Sequence, residues 1–167
     1  SEGSFSTLRK EIRQIEMYLS IQKIRLGDRL TYSTSIEDGL SEVVVPKLLF
    51  QPLVENSILH GIDRLQAGGT VCVRIVSEGE DIEIRVWNNG PPIDDSKRTY
   101  LEELLESSVK PFHVRETVDS IGLENVQQRV RLLYGPAYGL TIVSAEGTGT
   151  EFILRIHQRL RENGEST

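Results

Sequence analysis

Two pairs of alternating apolar runs constrain the fold of this chain more than any other feature. In residues 70–76 and 81–87, and again in 140–145 and 150–157, apolar side chains recur at every second position, as in strands with one buried face. Each pair is joined by a short connection that contains glycine, so each pair is predicted to form an antiparallel hairpin. Residues 30–36 alternate in the same way and add a fifth strand.

Three further segments show apolar residues at helical spacing. The first runs from about Phe5 to Leu26 and is predicted to end at Gly27, because glycine tolerates the left-handed conformation of a helix C-cap. The second covers about residues 47–60, with Pro46 in its first turn, and the third starts near Ser120. The element order predicts an α+β fold: a two-layer sandwich of a mixed five-stranded sheet with about three helices on one face.

Composition limits the class of protein. The 167 residues fit one domain, and 19 basic against 25 acidic residues give a net charge of -6, which argues against a broad nucleic-acid surface. No apolar run reaches the length of a membrane span, so the fragment is expected to be soluble as given. Cys72 is the only cysteine, which excludes an internal disulfide. The first helix could dock on the domain or pair with a second copy.

The second predicted helix carries three polar residues on one stripe. Glu55, Asn56 and His60 share one side of an otherwise apolar segment. Burying such groups without partners is costly, so they either pair with each other or face a polar ligand. Asparagine and glutamate oxygens are hard donors that suit Mg²⁺. The alternative interpretation is a solvated edge of a core helix.

Glycine turns follow the strands. Asn88, Asn89 and Gly90 lie at a strand end, and residues 91–120 then lack a continuous apolar period, which is typical of a lid over a site, with disorder as the alternative. Gly122 near a helix start predicts exposed amides that could cradle phosphate. Gly147 and Gly149 allow close backbone approach, although this spacing is also common in hairpins.

The motifs, taken in their order along the chain, resemble those of a known protein family. ENSILHG on a helix, VWNNGPP at a strand end, a long lid, SIGLENVQQRVRLLYG and EGTGTEF together resemble the ATP-binding catalytic domain of sensor histidine kinases. That domain has the Bergerat fold, which is shared with gyrase, MutL and the Hsp90 chaperones. The wording PLVENxxxHG and GLxNVxxRxxLLYG is most similar to the LytS/YesM-type kinases. The resemblance covers about residues 8–157.

The resemblance implies roles residue by residue. It implies that Asn56 binds Mg²⁺ between the ATP phosphates, that Glu55 orients water or the accepting imidazole, and that His60 contacts phosphate or lid. Asn88 matches the residue that accepts the adenine amino proton. Thr150 matches a residue whose hydroxyl supports that adenine-binding side chain. The implied catalytic residues are Glu55 and Asn56, the implied metal ligand is Asn56, and the implied nucleotide-binding residues are Asn56, His60, Asn88, Gly90, Ile93, Gly122, Leu123, Asn125, Thr148, Gly149 and Thr150.

Three departures from the family pattern stand out. Asn88 replaces the usual aspartate, which removes the charge-assisted hydrogen bond to adenine and predicts lower ATP affinity. Pro92 replaces a glycine and stiffens the entrance of the lid. Ser120 stands where a further glycine is common, which leaves fewer glycines to fold over the phosphates.

The resemblance also implies an organisation beyond the chain. Residues 5–27 would be a connector helix from a missing dimerisation and phosphoacceptor segment, and residues 28–160 the ATP-binding catalytic domain, with its lid at about 91–120. No HFLFN-like acceptor segment occurs, so the γ-phosphoryl of ATP would pass to a histidine outside the fragment.

The implied partners are the histidine-containing dimerisation domain, a response regulator and a second copy in the full-length protein, without nucleic acid. The domain would be cytoplasmic and the full-length protein in the cell membrane. One alternative is a degenerate nucleotide-binding or docking module without phosphotransfer. The other is an ATPase of the gyrase or chaperone type, which Pro52 disfavours because it occupies the usual place of a catalytic glutamate.

Overall fold

The structure of the protein is a computed structural model, which describes residues 3–106 and 118–160. Helices and strands follow one another along the chain in this order: β1 Phe5–Thr7, α1 Leu8–Leu26, β2 Leu30–Ile36, β3 Val44–Pro46, α2 Gln51–Asn56, β4 Gly69–Glu78, β5 Asp81–Asn88, α3 Asp95–Glu106, α4 Val118–Tyr134, β6 Gly139–Ala145 and β7 Gly149–His157. Short 3₁₀ turns cover Gly27–Arg29 and Ile62–Arg64, and a π-helical turn, Ser57–Gly61, extends α2.

Five of the strands form one sheet in the order β2-β4-β5-β7-β6. β2 runs parallel to β4, and every other neighbouring pair is antiparallel. The predicted mixed five-stranded sheet and its two hairpins are therefore confirmed. Because β5 and β7 are neighbours, Asn88 lies directly opposite Thr150, although the two residues are far apart in sequence.

The alternation of the strands places one face of the sheet in the core. Val73, Ile84 and Leu154 on three successive strands are completely buried, as are Leu53 and Val54 of α2, and all five belong to one hydrophobic cluster. α1 packs on β2, and α4 packs on β6 and β7. The α+β architecture is confirmed. The described residues contain four α-helices instead of about three, because α3 forms a full helix within the connection expected to be a lid.

The first helix begins later than predicted. Residues 5–7 form β1, which pairs with β3 in a separate two-stranded sheet, and the Thr7 hydroxyl accepts a hydrogen bond from the Lys10 N–H at 3.4 Å as the N-cap of α1. Periodicity could not reveal this, because the pairing partner of residues 5–7 lies some forty residues away. The end at Gly27 was predicted correctly, and that residue has a φ of 58°.

The second helix also begins later, at Gln51 instead of residue 47. Pro46 lies in β3, and Pro52 is the proline of the first helical turn. Leu48, an apolar residue within the predicted helix, is 51% exposed and has a φ of 58°. The carboxylate of the buried Glu11 in α1 accepts the Leu48 N–H at 2.9 Å, which holds this turn against α1.

The predicted lid is described in part. Residues 95–106 form α3, whereas residues 107–117, including Pro111 and His113, lie outside the described residues. α4 already begins at Val118, so Gly122 lies within the helix and not at its N-terminus. The amides that the sequence assigned to a phosphate cradle at Gly122 are therefore two residues further into the helix than expected.

α1 docks on the domain through one face. Ile15 is 1% exposed and Ile24 is 84% exposed, so the same substitution at the two positions compares the packed face of α1 with its solvent face. We expect Ile15→Val to lower the free energy of unfolding by about 0.5–1.5 kcal/mol, because a buried methyl is removed, and the same change at Ile24 to have almost no effect. Urea denaturation of both variants measures the difference. Equal effects at both sites would show that this face of α1 does not carry the packing.

Candidate functional site

The polar stripe of α2 lies at the edge of a cleft. Asn56 ends α2, and His60 lies in the π-helical turn that follows. The Glu55 carboxylate accepts a hydrogen bond from the Gln51 amide at 3.1 Å. The Asn56 side chain makes no hydrogen bond within the described parts of the chain. Its amide oxygen is therefore available to a ligand.

The first cavity of the cleft lies between α2 and α4. It has a volume of about 140 Å³ and is lined by Pro52, Glu55, Asn56, Leu59, His60, Gly122 and Leu123. Asn56 and Gly122 are thus brought to one cavity from distant parts of the sequence. A Cβ at Gly122 would meet Pro52 at 3.6 Å, an ordinary contact, so the backbone does not require glycine there for steric reasons.

A second cavity continues from the first towards the sheet. Its lining consists of Asn56, His60, Gly61, Asn88, Pro91, Ile93, Thr150 and Phe152, so it shares Asn56 and His60 with the first cavity. Its volume of about 20 Å³ is enough for roughly one water molecule. A planar ring can therefore enter only if the lining residues move apart.

Asn88 forms the floor of this second cavity. It is 2% exposed, and its Oδ1 accepts a hydrogen bond from the Gly90 N–H at 2.9 Å. A Cβ built on Gly61 would lie 2.3 Å from that Oδ1, and a Cβ on Gly90 would lie 2.4 Å from the Gly61 Cα. Both glycines are therefore required, because the Asn88 amide and the Gly61 backbone occupy the space that side chains would take.

A chain of hydroxyl groups lies beside Asn88. Thr150 Oγ1 is 2.8 Å from Ser144 Oγ, and Ser144 Oγ accepts the Ile93 N–H at 3.0 Å. Both hydroxyl residues are buried. Ser144 was not among the predicted site residues. Its signal is the polar residue at an inward position of β6, after Leu140 and Ile142, where the alternation calls for an apolar side chain.

The last glycine turn packs against Asn88 from the other side. Gly149 has a φ of +78°, and a Cβ there would lie 2.0 Å from the Asn88 carbonyl oxygen. Thr148 is turned away, since its hydroxyl donates to the Ala145 carbonyl at 3.1 Å and its carbonyl accepts the Trp87 Nε1–H at 2.8 Å. Neither Thr148 nor the exposed Asn125 of α4 lines either cavity.

Charged groups surround the cleft unevenly. A third cavity, of about 210 Å³, adjoins the second through His60, Pro91 and Ile93, and its remaining lining residues are Arg64, Pro92, Asp94 and Lys97. Two basic side chains thus lie at this end. On the α1 side, burial and then the negative charge of Glu55 raise the pKa of the half-buried Tyr18.

Metal binding depends on few protein groups. The described residues contain no cluster of three or more His, Cys, Asp or Glu side chains that could hold a metal ion. A divalent cation in this cleft would rely on the Asn56 oxygen together with oxygens of the ligand. This is the pattern by which Mg²⁺ commonly binds beside phosphates.

Comparisons with known proteins identify the family of the chain. The family model described as histidine kinase-, DNA gyrase B-, and HSP90-like ATPase matches residues 44–160. The chain is 37% identical over 149 residues to the sensor histidine kinase YpdA of Escherichia coli, covering 89% of this chain and 24% of YpdA. It is 31% identical over 157 residues to the sensor histidine kinase/phosphatase LytS of Staphylococcus aureus, covering 93% of this chain and 26% of LytS.

A solved structure shows the same fold at low identity. The nucleotide-free catalytic domain of histidine kinase ThkA superimposes with a TM-score of 0.62 at 14% identity, over 94% of this chain and 97% of that domain. The chain spans about a quarter of the length of YpdA and LytS. Within the described residues, none of the helices combines the length and apolar character needed to cross a bilayer.

Proposed function

This chain belongs to the family of histidine kinase-, DNA gyrase B- and HSP90-like ATPases, and from this premise we propose that residues 28–160 are the ATP-binding catalytic domain of a sensor histidine kinase. Its sequence relatives YpdA and LytS are sensor histidine kinases. The observation that carries the proposal is the connected cleft in which Asn56 and His60 line both the cavity with Gly122 and the cavity with Asn88.

The cleft suits ATP with Mg²⁺. The Asn56 oxygen has no protein partner in the described residues and is the proposed metal ligand, while the bound ion would neutralise phosphate charge. The base would lie towards Asn88 and Thr150, between the apolar side chains of Ile93 and Phe152. Gly122 and Leu123 would lie along the phosphates, with His60 between base and phosphate ends. Glu55 would orient the accepting group.

The proposed reaction is transfer of the γ-phosphoryl group to a histidine on a segment outside these 167 residues. The cleft contributes mainly position and charge neutralisation, because phosphoryl transfer needs little covalent chemistry from the protein. α1 would connect the domain to that segment. A response regulator is the proposed next recipient, in line with the solved complex of ThkA with the response regulator TrrA. We propose a homodimeric full-length protein in the cell membrane, with this domain on the cytoplasmic side.

Calorimetry tests the proposal on the chain itself. Titration with a non-hydrolysable ATP analogue in the presence of Mg²⁺ is expected to show one site per chain, with weaker binding when Mg²⁺ is removed by a chelator. A titration with the corresponding nucleoside is the control for phosphate dependence. Absence of heat at millimolar analogue would contradict the proposal.

A degenerate nucleotide-binding module is a second candidate, favoured by Asn88 and Pro92 at positions where the family has aspartate and glycine. Radiolabelled ATP with an acceptor-histidine domain supplied separately distinguishes the two functions. Label on the acceptor domain supports the kinase. Nucleotide binding without label supports the degenerate module.

A further inference from the structure

The polar atoms of the Asn88 side chain have fixed positions. An N–H group can only donate, so the atom that faces the Gly90 N–H at 2.9 Å is the oxygen, Oδ1. The same oxygen is enclosed by Gly61 and Gly90, whose hypothetical Cβ atoms would lie 2.3 and 2.8 Å from it. A rotated amide would place its NH₂ group against another donor. Nδ2 is therefore the polar atom of Asn88 that is left for a ligand.

Nδ2 of Asn88 has no acceptor in the described residues, and the residue as a whole is only 2% exposed. A bound base that covers this donor without offering it an acceptor leaves it without a hydrogen bond, which is costly, so the cavity favours a ligand that presents an acceptor to Nδ2. Adenine carries an amino group at position 6, which is a donor. Hypoxanthine and guanine carry a carbonyl oxygen at position 6, which is an acceptor.

The other groups around the cavity do not select between these bases. The hydroxyls of Thr150 and Ser144 can each donate or accept and can rotate. Pro91, Ile93 and Phe152 offer apolar surfaces that suit the faces of any purine. Asn56 and His60 lie where this cavity meets the first one, so among the groups on the sheet side Asn88 is the side chain whose hydrogen-bonding atom has a fixed polarity.

We propose that Asn88 makes this cleft accept 6-oxopurine nucleoside triphosphates at least as tightly as ATP. The inference rests on the proposed function, since it assumes that the cleft binds a purine nucleotide. It adds that the chain does not reject a carbonyl group at position 6 of the base. Asn88 is the specificity-determining residue.

The test compares ATP with ITP, the inosine nucleotide, both with Mg²⁺, by calorimetry on the wild-type chain. ITP changes position 6 and the adjoining N1, which becomes a donor, and it lacks the 2-amino group of guanine. We expect ITP to bind the wild type at least as tightly as ATP. We expect Asn88→Asp, which keeps an acceptor for Gly90 but replaces the donor by an oxygen, to shift the ratio of the two dissociation constants towards ATP by roughly tenfold or more.

The neighbouring residue provides a matched control. The Asn89 side chain points away from the cavity, since it accepts the Thr70 N–H at 2.7 Å and donates to the Gly68 carbonyl at 2.7 Å. Asn89→Asp makes the same chemical change, and we expect it to leave the ratio unaltered. The melting temperature of Asn88→Asp should lie within a few degrees of that of the wild type. If the variant does not fold, the ratio of the ATP and ITP dissociation constants of the wild type tests the inference on its own.

The outcomes separate the two proposals. A wild type that binds ATP at least tenfold more tightly than ITP overturns the inference and leaves the proposed function intact. An unchanged ratio in a folded Asn88→Asp variant also overturns it. Absence of binding by both nucleotides contradicts the proposed function and removes the basis of the inference with it.

Discussion

Asn56→Ala is expected to lose most of the Mg²⁺-dependent affinity for ATP while keeping the fold. The Asn56 oxygen is the hard donor at the junction of the two cavities, and no described residue competes for it. Losing a contact to a charged ligand costs roughly 1.5–3 kcal/mol, which corresponds to a roughly tenfold to hundredfold weaker dissociation constant. The side chain is half-buried and makes no hydrogen bond, so the free energy of unfolding should change by less than about 0.5 kcal/mol.

Calorimetry with and without Mg²⁺ measures the effect. In the presence of a chelator, the wild type and Asn56→Ala should bind the ATP analogue almost equally, because the contact that the variant lacks is then absent from both. Gln14→Ala, which removes an exposed amide from α1, is the control for loss of a helical amide away from the cleft. An equal loss of affinity with and without Mg²⁺ would rule out metal ligation by Asn56.

Gly149→Ala is expected to destabilise the domain by at least about 3 kcal/mol. Two costs combine at this position: the left-handed backbone, with a φ of +78°, and a Cβ that would lie 2.0 Å from the Asn88 carbonyl oxygen. The first cost is about 1–2 kcal/mol. The second forces β5 and β7 apart beside the second cavity, so the folded variant should also bind nucleotide more weakly.

Gly147 lies in the same turn and separates the two costs. Its φ is +79°, and a Cβ there would meet nothing within 4 Å. Gly147→Ala should therefore lower the free energy of unfolding only by the cost of the left-handed backbone, about 1–2 kcal/mol, and leave nucleotide binding unchanged. Urea denaturation of both variants, followed by calorimetry, gives the comparison. Equal destabilisation would show that the contact between Gly149 and Asn88 does not matter.

The sequence was sufficient for the sheet and for the order of its motifs. Strand β2 was predicted with its observed ends, and the hairpins were predicted within two residues, because alternation of apolar and polar side chains depends on local geometry. The motifs around Asn56, Asn88 and Gly122 identified the family for a similar reason, since each is a short run whose residues act together. The division of the chain into a connector helix, residues 5–27, and a catalytic domain, residues 28–160, stays a prediction.

Local sequence patterns could not predict the features that depend on contacts between segments distant in the chain. β1 is a strand that pairs with β3, and the Leu48 N–H ahead of α2 binds the Glu11 carboxylate of another helix. Ser144 joined the site only through the neighbouring strand that carries Thr150. The free donor of Asn88 likewise follows from its position between Gly61 and Gly90, which lie on different segments. Local periodicity reports which face of an element is buried, whereas the partner that each polar atom meets is set by the packing of segments remote in the chain.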